Sequence, residues 1–302
     1  MKSAVSFIIP AYNAEDTLKE SVDSILNGNI EDGDEIIIVN DCSTDKTQSI
    51  AEQLSRKYGM LKVVNNPKNI GCPASRNVGI REAKNDLIFN LDSDNILPPN
   101  SISDLKGSLI KNNADIVAFE ETHYFKDAPD RVTHKWVSKN GFFTLSDLFS
   151  GTINPASGGN FLYKRSAWQN VHGYWEYGKG LHEAWGFSFK LLANSAVFFV
   201  VPKTYYWHRY SHESLFVRES KVDNQSVKMS NLFIQDFLEM FDDSSLNIIK
   251  NNPDWFNNLN RKPLVLRDGG VGTNGRVIFT SKIEQALHIF NQNVLSFIDS
   301  VF

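Results

Sequence analysis

Residues 35–45 read Glu35-Ile36-Ile37-Ile38-Val39-Asn40-Asp41-Cys42-Ser43-Thr44-Asp45, an unbroken apolar run that gives way at once to polar turn residues. Ile and Val without polar alternation make a strand buried on both faces, as in a parallel sheet covered by helices on either side. Ser43 or Thr44 then caps a helix carrying Ile50, Leu54 and Tyr58. The same alternation extends outward in both directions. Val5-Ser6-Phe7-Ile8-Ile9 reads as a strand, followed by Leu18, Val22 and Ile25 at helical spacing behind a start near Asn13. Downstream, Leu61–Val64 is a third strand, Ala74–Ala83 a helix and Asp86–Leu91 a fourth strand. A helix near Ser101–Lys111 leads to the strand Asp115–Phe119. The handedness of βαβ units turns this order into a doubly wound α/β sheet, with ligands expected at the carboxyl ends of its strands.

Composition bounds the function more loosely. The chain has 302 residues, enough for one large domain or two, and 41% of them are hydrophobic, so a substantial core can form. Lys and Arg number 31 against 35 Asp and Glu, a net charge of −4 that argues against a nucleic-acid partner. Two cysteines cannot build a disulfide framework, and a reducing, cytoplasmic setting is expected. The aromatic share of 12% fits either a ring-binding surface or a bulky core. Ala4–Ala11 is apolar behind Lys2, but Pro10 and the polar residues 12–16 make it a buried first strand rather than a signal core. Nowhere do about 18 apolar residues run together, so no membrane span is expected.

The chemistry gathers at the strand ends. Leu91-Asp92-Ser93-Asp94-Asn95 follows the fourth strand, and carboxylates at i and i+2 there can grip one hard cation whose other positions take phosphate oxygens. Pro10-Ala11-Tyr12-Asn13 and Asn40-Asp41 end the first two strands at the same edge. Between the third and fourth strands, Arg76 can present a guanidinium fork to phosphate or carboxylate.

FIIPAYN, IIIVNDCSTDKT, NIGCPASRNVGI and NDLIFNLDSDN, in that order over the first third of the chain, resemble the inverting nucleotide-sugar glycosyltransferases of family 2. The resemblance implies the GT-A fold: a mostly parallel α/β sheet sandwiched by helices. It also implies a UDP-sugar donor and a glycan or lipid-linked saccharide acceptor. Pro10, Tyr12, Asn40, Asp41, Arg76, Asp92 and Ser93 would line the nucleotide site. Asp94, with Asp92, would hold Mn²⁺ or Mg²⁺ on the diphosphate. Many members have Asp-Asp where this chain has Asn40-Asp41, which loosens the assignment of the base; uridine is the expectation.

A second stretch is similar to the family's acceptor half: Gly158-Gly159-Asn160-Phe161, then Gly180-Leu181-His182-Glu183-Ala184-Trp185. In the family a Glu-Asp pair opens a helix and the Asp deprotonates the acceptor hydroxyl, so the usual base position here is Ala184. Three readings stand open. Glu183 or His182 serves as base through a one-residue shift; an Asp has been replaced to disable turnover; or the chain is a binding-only relative. Trp185 matches the position of an acceptor-site aromatic, and Trp136, Trp175 and Trp207 are further candidate platforms. Trp207-His208-Arg209-Tyr210-Ser211-His212 is similar to the family's closing segment, where His212 or His208 would complete the metal site.

The rest is organised around that core. Further strands are expected at Arg131–Val137, Asn160–Tyr163, Ala196–Val201 and Thr204–His208. Residues 1–215 would form the catalytic domain, 1–95 the nucleotide half and 96–215 the acceptor half, with 216–302 a C-terminal helical extension. Ile283, Ala286, Leu287, Phe290, Val294, Phe297 and Val301 form one stripe that would dock on the domain, touch the inner face of the plasma membrane, or pair two copies. Gly270–Gly275 spells GxGxxG but precedes Arg276–Phe279, a strand rather than the helix a dinucleotide fingerprint needs.

Overall fold

The computed structural model describes residues 4–156, 158–176, 183–210, 230–232, 234–235, 237–252, 255–256, 259, 264–267 and, for the backbone alone, 276–279. Its first half follows the alternation of periods. Strands β1 (Val5–Ala11), β2 (Glu35–Asn40), β3 (Leu61–Asn65) and β4 (Leu87–Asn90) are joined through helices α1 (Leu18–Leu26), α2 (Thr47–Lys57) and α3 (Cys72–Glu82). They lie parallel in the order β3-β2-β1-β4. Every residue of β1, β2 and β4 is buried, as their unbroken apolar runs require. Alternate side chains feed two cores. Ile8, Ile37, Val39 and Ile88 face one, packed by Ile80 behind α3; Phe7, Ile9, Ile36, Ile38 and Phe89 face the other, packed by Leu18, Val22 and Ile25 of α1 and by Leu54 of α2. Contact between α3 and the sheet is close enough that a Cβ at Gly79 would lie 2.5 Å from Ile8 Cγ2.

Pro10 is tolerated inside the sheet for a topological reason. Ile8 accepts from Leu91 N on the β4 side, but β4 ends at Asn90, so the hydrogen-bonding position that Pro10 cannot fill has no partner strand beside it.

Helix α4 (Ser101–Lys111) leads to β5 (Ile116–Phe125), which is longer than the Asp115–Phe119 strand expected from the sequence. Then follow β6 (Val132–Val137), β7 (Gly141–Phe143), α5 (Leu145–Phe149), β8 (Phe161–Lys164), α6 (Arg165–Asn170), α7 (Glu183–Ala193) and β9 (Phe198–Arg209). The decisive element is β8. It enters antiparallel between β4 and β5, so it begins where β4 ends and carries the segment before it back to the site. The remaining strands arrange around β5, with β9 parallel on one side and β6 antiparallel on the other beyond β8.

Two strands were expected at Ala196–Val201 and Thr204–His208; one continuous β9 forms instead. The register against β5 shifts after Phe119, and Lys203 takes a φ of 62° while its N–H donates to Glu120 Oε2 at 2.6 Å. A bulge absorbs the Pro202-Lys203 interruption without ending the strand. Likewise α1 starts at Leu18, because Asn13 (φ 51°) is used to bridge two loops.

The C-terminal segment is not purely helical where it is described. It holds α8 (Asp243–Asn251) and β10 (Arg276–Phe279), which pairs antiparallel with β6. Ile234, Phe241, Trp255, Leu259, Leu264 and Leu266 are buried in the same core as α5 and α7, with Phe241 4.6 Å from the Phe149 ring. The stripe from Ile283 to Val301 lies outside the described residues. No helix among those described is long and apolar enough to cross a membrane.

Candidate active site

Three elements meet beyond the carboxyl end of β4. Arg76 stands on α3, Asp92 follows β4, and Glu183 opens α7. Arg76 Nη2 donates to Asp92 Oδ1 at 2.5 Å and Nη1 donates to Glu183 Oε1 at 2.8 Å. The guanidinium is 1% exposed and lies 5.4 Å from the centroid of the Tyr174 ring. One buried cation thus holds two carboxylates from opposite halves of the chain. Removing such a cation leaves charges uncompensated in a poorly solvated place, at about 3–5 kcal/mol. Burial raises the Glu183 carboxyl above its usual range and the charge of Asp92 adds to this, while Arg76 opposes both. Only Oε1 of Glu183 is engaged by a neighbour among the described residues.

Backbone crowding explains the glycines here. Gly159 has φ +79°, and a Cβ on it would lie 2.4 Å from Arg76 Nη2 and 3.3 Å from Asp92 Oδ2. The next residue, Asn160, accepts from Asp92 N through Oδ1 at 3.0 Å. Sequence reasoning missed Asn160, Asn90 and Asn77. Asn90 donates to Tyr163 Oη at 3.1 Å and Tyr174 Oη at 2.6 Å, and Asn77 holds the Tyr174 backbone through both N–H and C=O. A polar residue at the end of an otherwise apolar strand was the available signal for Asn90.

The Asp92–Asn95 loop is anchored from β9. Asn95 Oδ1 accepts from Arg209 N at 3.0 Å, which orients its amide so that Nδ2 donates to Asp92 Oδ2 and to His208 Nδ1, each at 3.2 Å. His208 thus meets that amide through Nδ1, and burial lowers its pKa. Arg209 Nε donates to the Asp94 carbonyl at 3.2 Å and its guanidinium pairs with Glu20 of α1. Among the described residues no neighbouring side chain donates to the Asp94 carboxylate, whose pKa is pushed up to about 7 by burial and then by the charge of Asp92. A carboxylate in that position is electrostatically short of a cation, and its hard oxygens suit Mg²⁺ or Mn²⁺. Among the described residues no three His, Cys, Asp or Glu converge on one point, so protein atoms alone do not complete a coordination shell.

Toward the other end of the edge, Tyr12 is 49% exposed. Asn40 and Asp41 are buried and paired within the loops. Asp41 accepts from Ile70 N at 2.9 Å, Gly71 N at 2.8 Å and Asn66 Nδ2 at 2.9 Å; Asn40 donates to Asn65 Oδ1 at 2.9 Å and accepts from Ser43 N at 3.2 Å. Pro10 lies in β1 and Ser93 between the two aspartates.

One expectation changes. Trp185 is a core residue, not an open platform: it is 7% exposed, stacked on Phe189 at 5.7 Å and edge-on to Phe256, because α7 turns that face inward. Ala184 is 2% exposed, its methyl buried one residue beyond the carboxylate that faces Arg76. Burial also raises the thiol pKa of Cys72, next to the site on α3. His182 and His212 lie outside the described residues.

Comparison with known proteins agrees with this fold. Residues 6–171, more than half of the chain, match the profile described as glycosyl transferase family 2. The poly(ribitol-phosphate) beta-N-acetylglucosaminyltransferase TarP of Staphylococcus aureus is 28% identical over 165 residues, 54% of this chain and 49% of that protein. Among solved structures, S. aureus TarS 1–349 in complex with UDP-GlcNAc superposes with a TM-score of 0.65 at 20% identity, covering 83% of this chain and 72% of that one. The mannosyltransferase PcManGT from Pyrobaculum calidifontis, in complex with GDP-Man and Mn²⁺, gives 0.57 at 15% identity, covering 76% and 64%. The fold is thus GT-A. This chain spans roughly half or less of the length of the first curated relatives it matches.

Proposed function

The chain belongs to glycosyl transferase family 2, and from that premise we propose that it transfers a sugar from a UDP-sugar, with inversion, to a hydroxyl of a glycan or lipid-linked oligosaccharide in bacterial-type polysaccharide assembly at the inner face of the plasma membrane. The observation that carries the reading is the Arg76 bridge, which presents Asp92 and Glu183 side by side at the ligand edge of the sheet. The acceptor oxygen attacks the anomeric carbon on the face opposite the diphosphate; the bond from that carbon to the UDP oxygen breaks, and the hydroxyl proton passes to Glu183 Oε2. Burial strengthens this carboxylate as a base, and Oε2 is the oxygen that Arg76 leaves open. Asp94, with Asp92 beside it, would hold Mn²⁺ or Mg²⁺, which when bound neutralises charge on the diphosphate. Tyr12 would offer its ring to the base.

The test measures UDP release from UDP-glucose, UDP-galactose and UDP-N-acetylglucosamine with either cation, beside calorimetric binding of UDP. Glu183→Gln is expected to lower turnover by about 10²–10⁴-fold while UDP affinity stays within a few-fold. No affinity for UDP with either cation would overturn the donor assignment. A second reading, a nucleotide-sugar binder without turnover, is favoured by the methyl of Ala184 where relatives carry the base; UDP binding with no release from any donor would select it.

A further inference from the structure

Beyond Ala118, β5 outruns β8 and pairs only with β6 and β9, and the face these three strands share is lined with rings. Tyr124 is the hub. It stacks on His134 at 4.4 Å with planes 3° apart, lies 5.3 Å from Trp136, and meets His208 at 4.9 Å and Tyr210 at 6.5 Å. The cross-strand registers Tyr124↔His134, Tyr124↔His208 and Thr122↔Trp136 fix these side chains to one side of the sheet.

The wall runs directly into the reaction centre. His208 is joined through Asn95 to Asp92, and the neighbouring Tyr206 hydroxyl lies 1.8 Å from where a Cβ on Gly158 would stand. Core packing would explain such a cluster if it were covered and greasy. Instead Trp136, His208 and Tyr210 are half-buried, and each ring carries a polar edge. Flat apolar faces with polar rims match a pyranose, whose C–H face packs on a ring while its hydroxyls stay in reach of donors and water.

We propose that Trp136, His208 and Tyr210, seated on the buried rings of Tyr124 and His134, form a stacking subsite for the saccharide acceptor, with Trp136 as its outer platform. The proposal rests on the transferase reading above and adds where the acceptor lies. It also replaces Trp185, buried in the core, as the aromatic that meets the acceptor.

The test is calorimetric titration of lactose, cellobiose and N,N′-diacetylchitobiose into the full chain, with and without saturating UDP and Mn²⁺. At least one disaccharide is expected to bind, Trp136→Ala to weaken it by about tenfold or more, and Trp136→Phe to keep it within about threefold. UDP affinity should move less than twofold in both variants, a split that a merely structural role of Trp136 would not give. An unchanged disaccharide affinity in Trp136→Ala overturns the proposal. So does a parallel loss of UDP binding, or a wild type that binds UDP but none of the three disaccharides. Failure of UDP binding with the ring-dependent disaccharide binding intact overturns the donor reading alone.

Discussion

In the loops after β1 and β2, side chains bond to backbone only about thirty residues away: Asn13 Oδ1 accepts from Thr44 N, Ser43 Oγ from Asn13 N, and Asp41 from Ile70 N and Gly71 N. At the edge beyond β4 the bonds reach much further. Arg76 meets Glu183 across 107 residues, Asn160 meets Asp92 across 68, and Asn95 meets His208 across 113. The edge beyond β1 and β2 is therefore built from neighbouring loops and is complete once the parallel strands are in place. The edge beyond β4 exists only when distant segments close on one buried guanidinium, so damage there should spread while damage beyond β1 and β2 stays local.

Arg76→Met breaks the comparison hardest. It strands two carboxylates and is expected to cost about 3–5 kcal/mol in denaturant unfolding and to abolish transfer. If stability hardly moved, the guanidinium would not be what joins the halves. Next comes Ala184→Asp, which inserts a carboxylate at a site 2% exposed. The expectation is a loss of about 1–3 kcal/mol or more, with turnover no higher than that of the parent chain; a large gain in turnover would move the base role from Glu183 to 184. The smallest effect concerns Asp94. Its folded pKa of about 7 lies above its unfolded value, so the folded state holds the proton longer and this group makes stability fall as pH rises from about 4 toward 7. Asp94→Asn should flatten that slope in metal-free melting curves, and Mn²⁺ should raise the wild-type melting temperature most at the upper end of the window. A slope identical in wild type and variant would remove Asp94 from the account.

How much of this was legible follows the same division. Strands β1, β2 and β4 could be read because full burial leaves an apolar run, and Asp92 and Arg76 because polar residues at strand ends are few. Glu183 was one of several open choices for the base, and local spacing gave no sign of its bond to Arg76 across 107 residues. Trp185 was misplaced because the rotation of α7 is set by Phe149 and Phe256, neither of which is visible from local spacing. The continuity of β9 through Pro202 depends on Glu120, more than eighty residues earlier, accepting from Lys203 N and donating to Thr204 Oγ1.

The antiparallel entry of β8 also bears on how the molecule comes into being. Asn90 meets Tyr163 across 73 residues, and until that later strand arrives β4 is an open edge with Leu87, Ile88 and Phe89 ready to pair with any extended chain. A ribosome that has released only the chain through β4 has made an aggregation-prone intermediate rather than a finished module. A split of the gene near residue 95, which parts β4 from β8, should give two insoluble pieces.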